Sequence, residues 1–395
     1  MNTSKFLLSK RTYELPESIF AKLFHLAETQ KEIISLGPGE PDFDTPKHVI
    51  EASKKYLDKG FTHYSSSQGR PELIEEIGKK LKKENKINLS DPQKQVIVTC
   101  GSTEALLLSY MTVTDVTEEI IVPNPGFLAY KPGVEFIDGV PVDLNLNEED
   151  GFQVNPDELT KLISPKTRGI IVNTPSNPTG TVLKKKLLEE IADIAVEKNL
   201  MIFSDEAYEK FVFGKGKHYS IGSFNGMQNN VVTLQSFSKT YAMPGFRVGY
   251  AAGPEWMIKE MTHTHIYSTL SAPTISQLAA FTALKDKRSI KSIEAMRKEY
   301  ERRNKLITKR ISEIDKLHMS VKPEGAFYAF PKFDSKMNSI EFTEWLIKHA
   351  GVIAIPGTEF GTNGEVLIRF SYATEYSLIE KAMNKIEEAL KKLKS

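Results

Sequence analysis

Between residues 95 and 250 short apolar runs recur at intervals: QVIVTCG, EEIIVPNPG, RGIIVNTPSNPTG, NLMIFSDEAY, NVVTLQSFSK and RVGYAAG. Each is a short apolar run closed by glycine, proline, serine, asparagine or aspartate, which is how a buried strand reads. Helical patterns separate them. In LLEEIADIAVEKNL, Leu187 to Leu200, apolar positions return every three or four residues and Lys198 falls near the end, where a cation suits the helix dipole. This alternation predicts βαβ units, hence a mostly parallel sheet sandwiched by helices in an α/β domain. After Ser271 the texture changes to long charged helices, notably Ser289 to about Ile314, and then to VKPEGAFYAF, GVIAIPG and EVLIRFSYA with strand alternation. A smaller α+β domain is predicted over 290–395. The first 44 residues, with the turn-rich LGPGEPDFDTP, fit no strand of the sheet and are expected to join it, leaving 45–289 as the large domain.

Composition narrows the function. A chain of 395 residues, 40% hydrophobic and 26% charged, buries a large core and exceeds one average domain. The formal net charge is +1 and no basic block is interleaved with aromatics, so neither nucleic acid nor a membrane surface is indicated as a partner. The single cysteine, Cys100, excludes a disulfide framework and no metal-ligand cluster is legible, which suits a reducing cytoplasm. No run is long and apolar enough for a membrane span or signal peptide.

Functional groups on an open parallel sheet gather where strands end and helices begin. TCGSTEAL sets Gly101, Ser102 and Thr103 between a strand and a helix starting near Glu104, as an ordinary N-cap or as a phosphate cradle. SDEAY ends a strand with Asp205 and brings Tyr208 one turn later; Asp205 is either a cap or a buried acid. Asn177 in SNPTG sits in a proline turn that can hold its amide rigidly toward a ligand. SFSKTYAMPGFRVGY adds Ser236, Ser238, Lys239 and Arg247 at another strand end. Together these groups fit an aromatic heterocycle carrying a phosphate and an aldehyde. A lysine amine condenses with the aldehyde, a carboxylate holds a pyridine nitrogen protonated, and hydroxyl and amide groups bond a phenolic oxygen.

At this point the chain resembles the fold type I pyridoxal-phosphate enzymes, and within them the class I/II aminotransferases, from LGPGEPDFDTP to IRFSYA. The resemblance implies that pyridoxal 5′-phosphate is held on Lys239, with Asp205 at its ring nitrogen and Asn177 and Tyr208 at its phenolic oxygen. It places the phosphate among Ser236, Ser238, Arg247 and the Gly101–Ser102–Thr103 loop, and stacks Phe127 of PNPGFLAY on the ring. Tyr64 of THYSSSQGRPEL matches a tyrosine that reaches the neighbouring subunit's phosphate, implying a homodimer with shared sites. Arg369 matches the receptor of the substrate α-carboxylate, and Gly39 a glycine turn beside it; Asn177 also faces the substrate. No metal is implied.

The wording most resembles archaeal and bacterial enzymes that act on aromatic amino acids or aspartate with 2-oxoglutarate. Thr103 stands where some aspartate enzymes carry a lysine. Pro244 and Phe246 stand where relatives commonly carry threonine and tryptophan, a change that bears either on the pocket floor or on the packing alone. Lyases and cyclising synthases share the cofactor cradle. A ligand-sensing regulator built on the same domain carries an added DNA-binding module, not expected in a chain whose first motif starts at Leu36.

Overall fold

The computed structural model describes residues 32–224 and 226–393, together with Ser9, Tyr13 and Ile19. A seven-stranded sheet comprises β1 (Val96–Thr99), β2 (Glu119–Asn124), β3 (Val140–Asn145), β4 (Thr167–Asn173), β5 (Met201–Asp205), β6 (Val231–Ser236) and β7 (Gly249–Ala252), in the order β1-β7-β6-β5-β4-β2-β3. Every pairing is parallel except those of β7, which is antiparallel to both neighbours. RVGYAAG therefore departs from the parallel pattern. A parallel return needs a crossover over one face of the sheet. Residues 237–248 instead form a helix, Phe237–Thr240, and a tight turn, Pro244–Phe246, so the chain doubles back at the same end.

The period of two within the strands decides what each face meets. Ile120, Val122, Ile171 and Phe203 turn to the face covered by helices Ser102–Val113 and Glu255–Ser268. Ile121, Ile170, Val172 and Ile202 turn to the other, where Leu188, Ile191 and Ala195 of helix Lys185–Glu197 pack. Each fully buried Ile or Leu contributes about 1.5–3 kcal/mol, so reversing the register of one strand would cost most of that core layer.

Beyond Arg288 the chain packs helices Arg288–Glu313, Ser339–Ala350 and Tyr376–Leu390 around a three-stranded antiparallel sheet of Tyr328–Ala329, Ile368–Ser371 and Ile355–Pro356. Ile34–Ser35 runs parallel to Val352–Ile353, and the Ser371 amide donates to the Leu36 carbonyl at 2.7 Å. Asp42 accepts both Arg303 Nη1 (2.7 Å) and Nη2 (2.9 Å), with Arg303 nearly buried. A paired, fork-shaped contact of this kind fixes orientation as well as position. LGPGEPDFDTP is thereby fastened to the C-terminal elements. A boundary at 289/290 falls within the first turn of Arg288–Glu313. Apart from Ser9, Tyr13 and Ile19, residues 1–31 of the expected small domain lie outside the described residues. Among the described residues no helix is long and apolar enough to cross a membrane.

Candidate active site

A cavity of about 270 Å³ opens where β4, β5 and β6 end. Asp205 is the last residue of β5 and Ser236 the last of β6. The Ser236 hydroxyl accepts from the Ser238 amide at 3.1 Å, starting the helix in which Lys239 is the third residue. That short helix turns the lysine inward, and its Nζ donates to the Gly39 carbonyl at 2.5 Å. Arg369 enters from strand Ile368–Ser371, buried, with Nη1 on Asn177 Oδ1 (2.9 Å) and Nη2 on the Gly37 carbonyl (2.6 Å). Its guanidinium lies between the rings of Tyr328 and Phe360, 4.4 and 4.7 Å from their centroids.

Of the residues singled out in the sequence, Gly39, Ser102, Thr103, Phe127, Asn177, Asp205, Tyr208, Ser236, Ser238, Lys239, Arg247 and Arg369 all line this one cavity. Gly101 lies just outside the lining. Its φ is +85°, and a Cβ there would stand 2.6 Å from Arg247 Nη2, so glycine lets the guanidinium lie over the loop. Gly39 is glycine for a different reason: a Cβ would come within 2.5 Å of the Tyr328 hydroxyl. Tyr64 is 85% exposed and does not line its own chain's cavity. Of the two roles left open for Pro244 and Phe246, the geometry favours packing. Neither lines the cavity; Phe246 packs on the cluster containing Val248 and Tyr250, while the Pro244 carbonyl accepts from Arg247 Nη1 at 3.2 Å.

Three polar lining residues went unnoticed in the sequence. Tyr130 donates its hydroxyl to Asp205 Oδ2 (2.7 Å), Asn173 accepts from the Asn177 amide (2.9 Å), and the Tyr328 and Tyr208 hydroxyls meet at 2.7 Å. Tyr130 stands three residues after Phe127 in a stretch already quoted, so the i,i+3 spacing was an available signal. A buried polar cluster beneath Asp205 was also missed. Glu206, Glu209 and His218 converge there, but Lys80 Nζ lies 2.5 Å from Glu209 Oε1 and the Asn85 and Gln235 amides donate to both carboxylates. Lys80 thus offsets the charge of Glu209, and the amides supply further donors to both carboxylates. A larger cavity of about 960 Å³ adjoins the first and shares Thr103, Phe127 and Leu128 with it, without the converging lysine and arginines.

Burial sets the electrostatics. It lowers the Lys239 amine to about 8, with Arg369 and Arg247 adding to the effect while Glu40 and Asp205 oppose it. Burial raises the Asp205 carboxyl, against the hydrogen bonds from Tyr130 and the Ala207 amide, so the acid gains from a further proton-bearing partner. Among the described residues Arg369 Nε is buried without a partner. A donor left unsatisfied by the fold is one that a ligand oxygen can satisfy. Helix Ser102–Val113 starts at Gly101 with no side-chain cap, so its first amides remain free for an anion.

Amine, acid, uncapped helix end and arginine therefore fit a phosphorylated pyridine aldehyde on their own chemistry. A family model, aminotransferase class I and II, matches residues 31–386. The chain belongs to this family. It is a pyridoxal-phosphate-dependent aminotransferase of fold type I. It is 47% identical to an aromatic-amino-acid aminotransferase 2 of Thermococcus litoralis, over 98% of this chain and 99% of that one. An aspartate aminotransferase of Pyrococcus abyssi is 46% identical over the same shares. Among solved structures, an aromatic aminotransferase from Pyrococcus horikoshii superposes with a TM-score of 0.88 at 46% identity, covering 94% of this chain and 98% of that one.

Proposed function

We propose that this aminotransferase takes the α-amino group of an aromatic amino acid, with aspartate as the second candidate, and passes it to a 2-oxo acid such as 2-oxoglutarate. The observation that carries the reading is the meeting of Lys239, Asp205 and Arg369 in one cavity. Pyridoxal phosphate, when bound, supplies an aldehyde that condenses with amines and a pyridinium ring that accepts an electron pair from the α-carbon. Asp205 holds the ring nitrogen, Asn177 and Tyr208 the phenolic oxygen, and Phe127 the ring face. Ser236, Ser238, Arg247 and the Gly101–Thr103 loop hold the phosphate. Arg369 takes the substrate carboxylate, Gly39 lying alongside, and Lys239 Nζ moves the proton on and off the α-carbon. Burial shifts the Lys239 amine toward its neutral form, the form able to take that proton.

The cations lining the cavity are Lys239, Arg247 and Arg369, and each already has a task. Among the described residues no further lining cation is left for a side-chain carboxylate, while Phe127, Tyr130, Tyr208 and Tyr328 offer aromatic walls. The chain's own lining thus serves an aromatic donor directly, whereas the second carboxylate of aspartate, and of 2-oxoglutarate as acceptor, needs a cation from outside it. We further propose a cytoplasmic homodimer in which Tyr64 completes the partner's phosphate site, with 45–289 as the large domain and 1–44 and 290–395 as the small one. A tyrosine this exposed before a run of three serines has no work in its own chain's cavity, which supports the assignment.

Lys239→Ala is expected to abolish both the visible absorbance of the holoenzyme and amino transfer; a fully active variant overturns the assignment of the lysine. With 2-oxoglutarate as acceptor, phenylalanine and tyrosine should exceed aspartate in kcat/KM, and parallel initial-rate lines should mark release of the first product before the second substrate binds. The reverse ranking of donors would refute the aromatic preference.

A further inference from the structure

The Tyr208 and Tyr328 hydroxyls stand 2.7 Å apart, and among the described residues neither has another hydrogen-bond partner. Each phenol has one proton to give and can accept. Between two such groups one proton lies in the shared bond and the other is free. When Tyr208 spends its own proton on an anionic ligand oxygen, the bond survives only if Tyr328 becomes its donor.

Tyr328 is held for that task from three sides. Its ring lies 4.4 Å beneath the Arg369 guanidinium, its edge meets the Tyr208 ring at 5.6 Å and 79°, and its backbone pairs with Ser371. The hydroxyl itself rests on Gly39, the residue whose carbonyl receives Lys239. Little rotation is open to it.

We infer that Tyr328 is a positioning residue that donates its hydroxyl proton to Tyr208, fixing the direction in which Tyr208 donates and strengthening that bond. The inference rests on the proposed contact of Tyr208 with the cofactor's phenolic oxygen. Donors in series polarise one another, by about 10–30% per bond, so loss of the outer donor weakens the inner bond without removing it.

The test is a pH titration of the holoenzyme's visible band, read without substrate, in Tyr208→Phe, Tyr328→Phe and the double variant. A donor to the phenolate lowers the titration midpoint, so Tyr208→Phe is expected to raise it by about one unit or more and Tyr328→Phe by a smaller part of that. The double variant should match Tyr208→Phe alone, because Tyr328 acts only through Tyr208. If Tyr208→Phe leaves the midpoint in place, the reading of Tyr208 fails. If Tyr208→Phe shifts it and Tyr328→Phe does not, or if the two shifts simply add, the role of Tyr328 fails. Phenylalanine keeps the ring under Arg369, so the KM for the amino acid should stay within about twofold in Tyr328→Phe, whereas Tyr328→Leu should raise it severalfold. Equal KM values in the two variants would overturn the ring's part in holding Arg369.

Discussion

Arg369 illustrates how a side chain in this site is specified by what it lacks. Its two outer nitrogens are committed to Asn177 and Gly37, two rings clamp its plane, and Nε alone is unpaired. Lysine has one point of charge and no fork, so Arg369→Lys gives up at least one of these bonds. The KM for the amino acid should rise about 10–100-fold, the worth of one or two charge-assisted bonds, with a smaller fall in kcat; steady-state kinetics reads both. At this scale much was legible beforehand. Lys239, Asp205, Asn177 and Arg247 sit in short motifs whose residue types already point to one chemistry. Tyr328 was not legible, because in EGAFYAF it reads as one more strand residue, and its partner Tyr208 is 120 positions away. Nor did Pro244 and Phe246 reveal from sequence that they turn away from the cavity.

The loop from Cys100 to Glu104 shows how an element is shaped for an anion. Glu104 accepts from the Cys100 amide (2.6 Å), His265 Nδ1 (3.1 Å) and Thr269 Oγ1 (2.6 Å), tying the start of helix Ser102–Val113 to helix Glu255–Ser268. Burial alone would raise this carboxyl, but the bonds from His265, Thr269 and Cys100 outweigh it and hold it at about 2. A carboxyl depressed in the folded state stabilises fully above its unfolded value near 4.3 and loses that contribution as pH falls toward 2. Glu104→Gln should therefore lower the unfolding free energy read from urea titration at pH 7, by an amount on the order of 1–2 kcal/mol, and match the parent as pH approaches 2. A constant difference across that range would count against the carboxylate's charge. Gly101→Ala strains a left-handed residue and pushes on Arg247, so cofactor affinity, measured by equilibrium dialysis, should fall about tenfold or more. The six apolar runs announced six of the seven strands, since each buried strand must be continuously apolar. The direction of β7 was hidden, because an antiparallel central strand is as apolar as a parallel one; only the brevity of residues 237–248 hinted at it.

For the whole molecule the sharpest question is whether two chains share each site. If Tyr64 serves the partner, a chain carrying Tyr64→Ala and one carrying Lys239→Ala repair one another when refolded together. Half the dimers are then mixed, each with one intact site, so activity should reach about a quarter of the parent's. Activity no greater than the sum of the two variants alone would place Tyr64 outside the site. The attachment of LGPGEPDFDTP to the C-terminal elements was foreseen only by exclusion, because Arg303 and Ser371, its partners, lie far along the chain. That separation has a consequence for biosynthesis. The Gly37 carbonyl emerges early, yet Arg369, which it accepts from, follows 332 residues later. At ordinary translation rates that interval is roughly 15–70 s, during which the sheet can close while the carboxylate receptor has no arginine. On the ribosome, the proposed carboxylate receptor is therefore still incomplete when every strand of the large sheet has been made.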